Sequence, residues 1–120
     1  MPQTTSTEPL RAPFPAFGGK SRAAPIVWPR FGQVTNYVEP FCFSAALLLA
    51  CPPAQRPRVE TINDVNGFVA NFWRAVAADP EGVARAADWP VNGTDLHARH
   101  RDLLRRGHAL RVLLDDPKTY

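Results

Sequence analysis

Apolar and polar positions change rhythm several times along this chain. Tyr37-Val38-Glu39-Pro40-Phe41 alternates and is then stopped by proline, which predicts a strand. Residues 43–50, Phe-Ser-Ala-Ala-Leu-Leu-Leu-Ala, form an apolar run suited to a buried helix, closed by Cys51-Pro52-Pro53. Arg58-Val59-Glu60-Thr61-Ile62-Asn63-Asp64 is a second strand that ends in an acid, with Asp64 placed to cap the helix that follows. In that helix Val65, Phe68, Val69, Phe72 and Val76 fall at helical spacing, so one face is predicted to pack on the sheet. Asp79-Pro80-Glu81-Gly82 ends it, and a short helix over residues 83–87 and a loop at Trp89-Pro90-Val91-Asn92-Gly93 follow. The last helix, over residues 94–115, carries a stripe of Leu96, Leu103, Leu110 and Leu114 with Leu104 and Leu113 beside it. Arg99, Arg101, Arg105 and Arg106 are predicted to project from the other side, and Gly107 is a point at which the helix is expected to weaken or divide.

Upstream of the first strand, residues 1–13 are polar and proline-containing without periodicity, which predicts a tail. Ser21 is placed to cap a short helix through Ala23, Ala24, Ile26 and Val27, limited by Pro25 and Pro29. Strand, turn, helix, strand and acid form the order of a parallel βαβ unit. In such a unit a nucleoside lies across the strands' carboxyl ends, and the acid closing the second strand takes the ribose hydroxyls.

Composition narrows the field only a little. A length of 120 residues suits one domain and is short for a complete α/β enzyme of this kind. The formal charge of +3 is too mild to imply nucleic acid by itself, but its distribution matters, because the last quarter of the chain is rich in arginine. Cys42 and Cys51 lack metal spacing, and the first residues carry no leader pattern, so a reduced, cytoplasmic protein without a membrane span is expected. His97, His100 and His108 share the last helix without a zinc-binding pattern, so no metal is expected.

Gly18-Gly19-Lys20-Ser21 ends like a phosphate loop, but the first glycine of that motif would fall at Phe14 and no strand precedes it. A flexible loop is one alternative. In the other, the paired glycines let the backbone approach a flat ligand, the adjacent Phe17 stacks on it, and Lys20 supplies a fixed charge. Glu39 at a strand end needs donors, which ligand groups can supply; its bland alternative is an exposed charge, as a plain helix cap is for Asp64.

Taken in order, Phe-x-x-x-Gly-Gly-Lys, Tyr-Val-Glu-Pro-Phe and Ile-Asn-Asp-Val-Asn-Gly-Phe-Val-Ala-Asn-Phe-Trp-Arg resemble the amino-terminal part of the Dam-like (α-class) N6-adenine DNA methyltransferases. The resemblance spans residues 13–74 and runs on loosely through Asp95-Leu96-His97-Ala98-Arg99-His100, where the family begins a helical DNA-contacting insertion. It implies an α/β fold, part of a Rossmann-like S-adenosylmethionine-dependent methyltransferase, followed by a helical segment. The implied layout is a tail over 1–13, a partial methyltransferase domain over 14–78 and a helical segment over 79–120. It further implies that Lys20 and Asp64 contact S-adenosylmethionine and that Glu39 and Phe41 line the same pocket with Gly18 and Gly19; with Ala16 at the family's aromatic position, stacking on the base falls to Phe17 or is lost. Arg99, Arg101, Arg105 and Arg106 would meet DNA phosphates.

Three departures qualify that picture. Ala16 stands where the family carries an aromatic. Phe43-Ser44-Ala45 replaces a Gly-Ser-Gly turn, and a phenylalanine there is expected to strain the backbone and fill space that the methionyl part of the cofactor needs. No Asp-Pro-Pro-Tyr occurs, the motif with which the family grips the target adenine. Two readings follow. One is a methyltransferase sequence cut short, inactive alone or completed by a second polypeptide; the other is a non-catalytic module on the same fold that binds DNA or protein.

Overall fold

The computed structural model describes residues 8–88 and 92–116, so residues 1–7 of the expected tail and Trp89-Pro90-Val91 of the expected loop lie outside it. The chain divides into two compact units, Met1–Val65 and Asn66–Tyr120.

In the first unit a 3-10 turn, Lys20–Arg22, leads into α1 (Ala24–Phe31), β1 (Asn36–Glu39), α2 (Ala46–Leu49), a second 3-10 turn (Pro53–Gln55) and β2 (Val59–Ile62). β1 and β2 pair in parallel, from Asn36 opposite Val59 to Glu39 opposite Ile62. The predicted βαβ unit is therefore present, with both strands shorter than expected. Pro40 has no N–H to donate and ends the first ladder before Phe41. Two further bonds carry the association past the strands, Asn63 N–H to the Glu39 carbonyl and Cys42 N–H to the Asn63 carbonyl, each at 2.9 Å.

The core of this unit is aromatic. Trp28 is 1% exposed, stacks obliquely on Tyr37 at 5.1 Å and donates its indole N–H to the Leu47 carbonyl at 2.8 Å. One side chain thus holds α1, β1 and α2 together, with Ala24 and Cys51 completing the buried cluster. Period-two alternation puts Tyr37 and Glu39 on the buried face of β1, while Val38 on the opposite face is exposed.

Two local expectations for this unit need correction. Ser21 caps nothing: α1 grows out of the preceding 3-10 turn, Ala23 stands at its N-cap without a side-chain bond, and Pro25 occupies the first turn, where a missing N–H costs little. The apolar run over 43–50 yields only four helical residues. Phe43 and Ala45 sit at φ 44° and 49°, in the left-handed region, so no right-handed helix can start before Ala46.

The second unit is helical: α3 (Gly67–Ala78), α4 (Pro80–Ala87) and α5 (Gly93–Asp115). Asn66, not Asp64, caps α3, accepting from the Phe68 N–H at 3.0 Å. Asp79 caps α4 by accepting from Gly82 N–H at 2.9 Å. Asn92 caps α5 through Asp95 N–H, and its side-chain amide donates back to the Asp95 carboxylate.

The apolar stripe of α3 packs within this unit against α5, where Leu114 is buried beside Gly67 and the Arg111 guanidinium lies 6.0 Å over the Phe68 ring. No α3 residue is fully buried, and Val65, expected on that stripe, precedes the helix and is exposed. α5 runs unbroken through Gly107, so the expected division does not occur. Its caps and its i,i+4 pair between Arg106 and Asp102, at 2.6 Å, offset the glycine.

A Cβ at position 107 would meet nothing within 4 Å. Gly107→Ala is therefore expected to raise helix stability by about 1 kcal/mol. Circular-dichroism melts of the two proteins check this, and an unchanged midpoint would mean that the helix is broken there in solution.

Candidate functional site

Because β1 and β2 are parallel, their carboxyl ends finish at one edge, and three loops converge there. The first is a tight turn over residues 16–19, closed by Gly19 N–H to the Ala16 carbonyl at 3.0 Å. Gly18 takes φ 70° at its third position, as a type II turn requires, and this presents the Phe17 side chain fully to solvent. The second is the left-handed turn through Phe43 and Ala45. The third is Asp64, just beyond β2.

Lys20 follows the glycine turn and reaches back to the strand tip. Its ammonium donates to Glu39 Oε1 at 2.5 Å and to the Phe41 carbonyl at 2.6 Å. Glu39 is 3% exposed, and its Oε2 accepts from the Tyr37 hydroxyl at 3.0 Å and from Leu48 N–H at 3.3 Å. A buried carboxylate is thereby supplied with donors from within the chain, which answers the demand that the sequence left open for ligand groups. Burial, and then the neighbouring Glu39 carboxylate, push the Tyr37 hydroxyl well above its ordinary pKa. Asp64 Oδ2 accepts from Phe43 N–H at 3.0 Å, so this acid tethers the left-handed turn.

Between these loops lies a hollow of about 320 Å³, within the size range of small-molecule sites. Phe17, Gly18, Gly19, Lys20, Phe41 and Asp64 all line it. Glu39, the remaining residue expected there, lies behind Lys20 and is not among the lining groups. Cys42 also faces the hollow; burial first, then Asp64 and Glu39, raise its thiol pKa, so it stays protonated at neutral pH and offers no thiolate nucleophile. A larger and more open groove of about 1270 Å³ runs along residues 8–19 and shares the glycine turn, but neither Lys20 nor Asp64 lines it. The chemistry therefore singles out the smaller hollow.

Sequence reasoning missed the two internal partners of Glu39. Tyr37 was legible in principle, since residues two apart on a strand share a face; Leu48 N–H was not, because it depends on how short α2 is. It also missed the Phe14 ring, which packs edge-on against Phe43 with centroids 5.5 Å apart.

The four arginines singled out on α5 are all exposed. In an unbroken helix, Arg101 and Arg105 share one side, while Arg99 and Arg106 lie on another, next to the leucine stripe. Arg101 and Arg105 thus lie opposite the leucine stripe, as expected, while Arg99 and Arg106 border it. Arg106 is already paired with Asp102.

A model of the D12 class N6 adenine-specific DNA methyltransferases matches residues 17–101, well over half of the chain. The chain belongs to that family. The match takes in the glycine turn, the Glu-Pro-Phe strand end, Asp64 and the first turns of α5. No curated protein and no solved structure matches the chain. Family membership implies S-adenosylmethionine as methyl donor and DNA as substrate. Among the described residues no helix is long and apolar enough to cross a membrane.

The residues present fit one half of that donor and not the other. A glycine turn, an exposed aromatic and an acid at the strand edge suit a base and a ribose. The turn that reads Gly-Ser-Gly in the family and Phe43-Ser44-Ala45 here puts both outer residues at positive φ, so the backbone keeps a glycine conformation without glycines. The Phe43 side chain then lines the hollow where a glycine would leave space.

The Tyr37 environment has a measurable consequence. A hydroxyl whose pKa is raised on folding keeps its proton above pH 10 in the folded state, while the unfolded chain loses it. Stability contributed by this group is complete below about pH 10 and falls as pH rises further, by up to about 1.4 kcal/mol per unit. Tyr37→Phe is expected to cost about 1 kcal/mol at neutral pH through the lost Glu39 bond. The same substitution should flatten the alkaline decline, as read from urea unfolding at pH 7 to 11.

Proposed function

We propose that this chain is the cofactor-side part of a DNA N6-adenine methyltransferase, and that these 120 residues do not transfer a methyl group unaided. The observation that carries the proposal is the convergence of Lys20, the glycine pair and Asp64 on one hollow at the carboxyl ends of two parallel strands. In this reading the Gly18-Gly19 backbone lets a flat base approach, Phe17 stacks on it, and the Asp64 carboxylate accepts the ribose hydroxyls while still holding Phe43 N–H. Lys20 fixes the loop to the Glu39 tip, and Phe41 closes the floor. When bound, S-adenosylmethionine supplies an electrophilic methyl group.

What these residues do not supply is a grip on the target adenine. Asp79-Pro80-Glu81-Gly82 is taken up in capping α4, and no Asp-Pro-Pro-Tyr occurs in the sequence. Without a group that aligns the amino nitrogen with the methyl, the proximity contribution to such a transfer is missing. That motif would have to come from elsewhere, such as a second polypeptide. The helical part from residue 79 onward would then be the beginning of the DNA-contacting insertion, with Arg99, Arg101, Arg105 and Arg106 as phosphate contacts.

A second reading, a non-catalytic module that holds DNA or protein, is favoured by Phe43, because its ring and strained backbone oppose the full donor. Calorimetry separates the two. S-adenosylmethionine is expected to bind weakly, Asp64→Ala to abolish that binding, and Phe43→Gly to strengthen it by about tenfold, or about 1.4 kcal/mol. Affinity unchanged or weakened in Phe43→Gly would refute the steric argument. No heat with the donor, alongside salt-sensitive DNA retention, would support the module.

For DNA, the phosphate reading expects affinity to fall steeply with salt. Replacing Arg101 and Arg105 together by alanine should reduce the slope of log K against log salt by about 2. An unaltered slope would remove α5 from the DNA contact.

A further inference from the structure

Among the described residues, the charged side chains lining the hollow are Lys20 and Asp64. The Lys20 ammonium is committed to Glu39 Oε1 and the Phe41 carbonyl, at 2.5 and 2.6 Å. Glu39 is buried, and its second oxygen is taken by Tyr37 and Leu48. Counting Lys20 as +1 and Glu39 and Asp64 as −1 each, the group carries a net charge of −1. For Lys20 to turn toward a ligand carboxylate it would have to abandon a buried carboxylate that pairs with no other cation among the described residues, which is strongly unfavourable.

An independent observation points the same way. Phe43 N–H is tied to Asp64, so the Phe43 residue stands beside the acid that would hold a ribose, and its ring is braced by Phe14. A bulky substituent leaving that ribose meets the ring in place of the space a glycine would give. Base and ribose, by contrast, keep an exposed aromatic, a glycine turn and an acid.

We infer that the hollow selects a nucleoside with a small, uncarboxylated 5′ group over the amino-acid-bearing nucleosides that the family uses; this rests on reading the hollow as a nucleoside site. Among the described residues lining the hollow the one cation, Lys20, is held by Glu39, which disfavours the carboxylate, and Phe43 opposes the bulk.

The test is calorimetry on the full chain with adenosine, 5′-methylthioadenosine and S-adenosylhomocysteine, the last two differing by the amino-acid tail. 5′-Methylthioadenosine is expected to bind at least about tenfold more tightly than S-adenosylhomocysteine. Glu39→Gln, which removes the countercharge and releases Lys20, is expected to narrow that ratio to about threefold by improving S-adenosylhomocysteine. Should this variant fail to fold, the wild-type ratio decides alone. Equal or tighter binding of S-adenosylhomocysteine by the wild type would overturn the inference and leave the methyltransferase reading standing. No binding of any of the three would overturn both. A ratio unchanged in a folded Glu39→Gln protein would refute the charge argument.

Discussion

One carboxylate sets the geometry of the first unit. Glu39 is 3% exposed, and a charge so placed must be met by a cation and by hydrogen-bond donors or the fold is lost. The donors come from three directions: Lys20 from the glycine turn, Tyr37 from the same face of β1, and Leu48 N–H from α2. Satisfying Glu39 therefore fixes the amino-terminal loop, the strand and the short helix with respect to one another. The Trp28 indole bond to Leu47 then locks α1 onto the same helix. The hollow is the space left beside this arrangement.

The second constraint is a backbone one. Holding Phe43 and Ala45 in the left-handed region costs on the order of 1–2 kcal/mol per residue. The turn persists because its N–H groups are well placed: Phe43 donates to Asp64, Cys42 to the Asn63 carbonyl, and Ala45 to the Cys42 carbonyl at 2.7 Å. Asp64 is thereby positioned by the turn as much as the turn is positioned by Asp64. The strain explains the brevity of α2, since a helix cannot begin until both left-handed residues are past.

The strand–helix–strand order and the convergence of Lys20 with Asp64 were legible, because a parallel crossover and period-two alternation leave clear marks in Tyr37 to Phe41 and Arg58 to Asp64. Caps were less so. Ser21 and Asp64 are both good capping residue types, yet a 3-10 lead-in removed the need for the first, and the Phe43 turn claimed the second while Asn66 stood two residues on. The extent of α2 was hidden for a different reason: apolarity reports burial and says nothing about the sign of φ at Phe43 and Ala45. The arginines of α5 misled because a count of basic residues ignores angle: at 100° per residue Arg99 and Arg106 fall beside the leucine stripe, and only Arg101 and Arg105 lie opposite it.

These partnerships change what the family motifs mean in this chain. Lys20, half-buried at the edge of the hollow, neutralises the buried Glu39, and Asp64 holds a turn, so folding alone accounts for all three. Gly18 has its own reason in a φ of 70°. None of them therefore argues for a ligand singly; what argues for one is their convergence on a single hollow. Phe17 is different. It is a large apolar side chain at the mouth of the hollow, fully exposed, with no core to serve and a hydrophobic cost for standing in water. In the proposed reading this ring stacks on the base, so the nucleoside assignment of the hollow rests on Phe17 together with the convergence of Lys20, the glycine turn and Asp64.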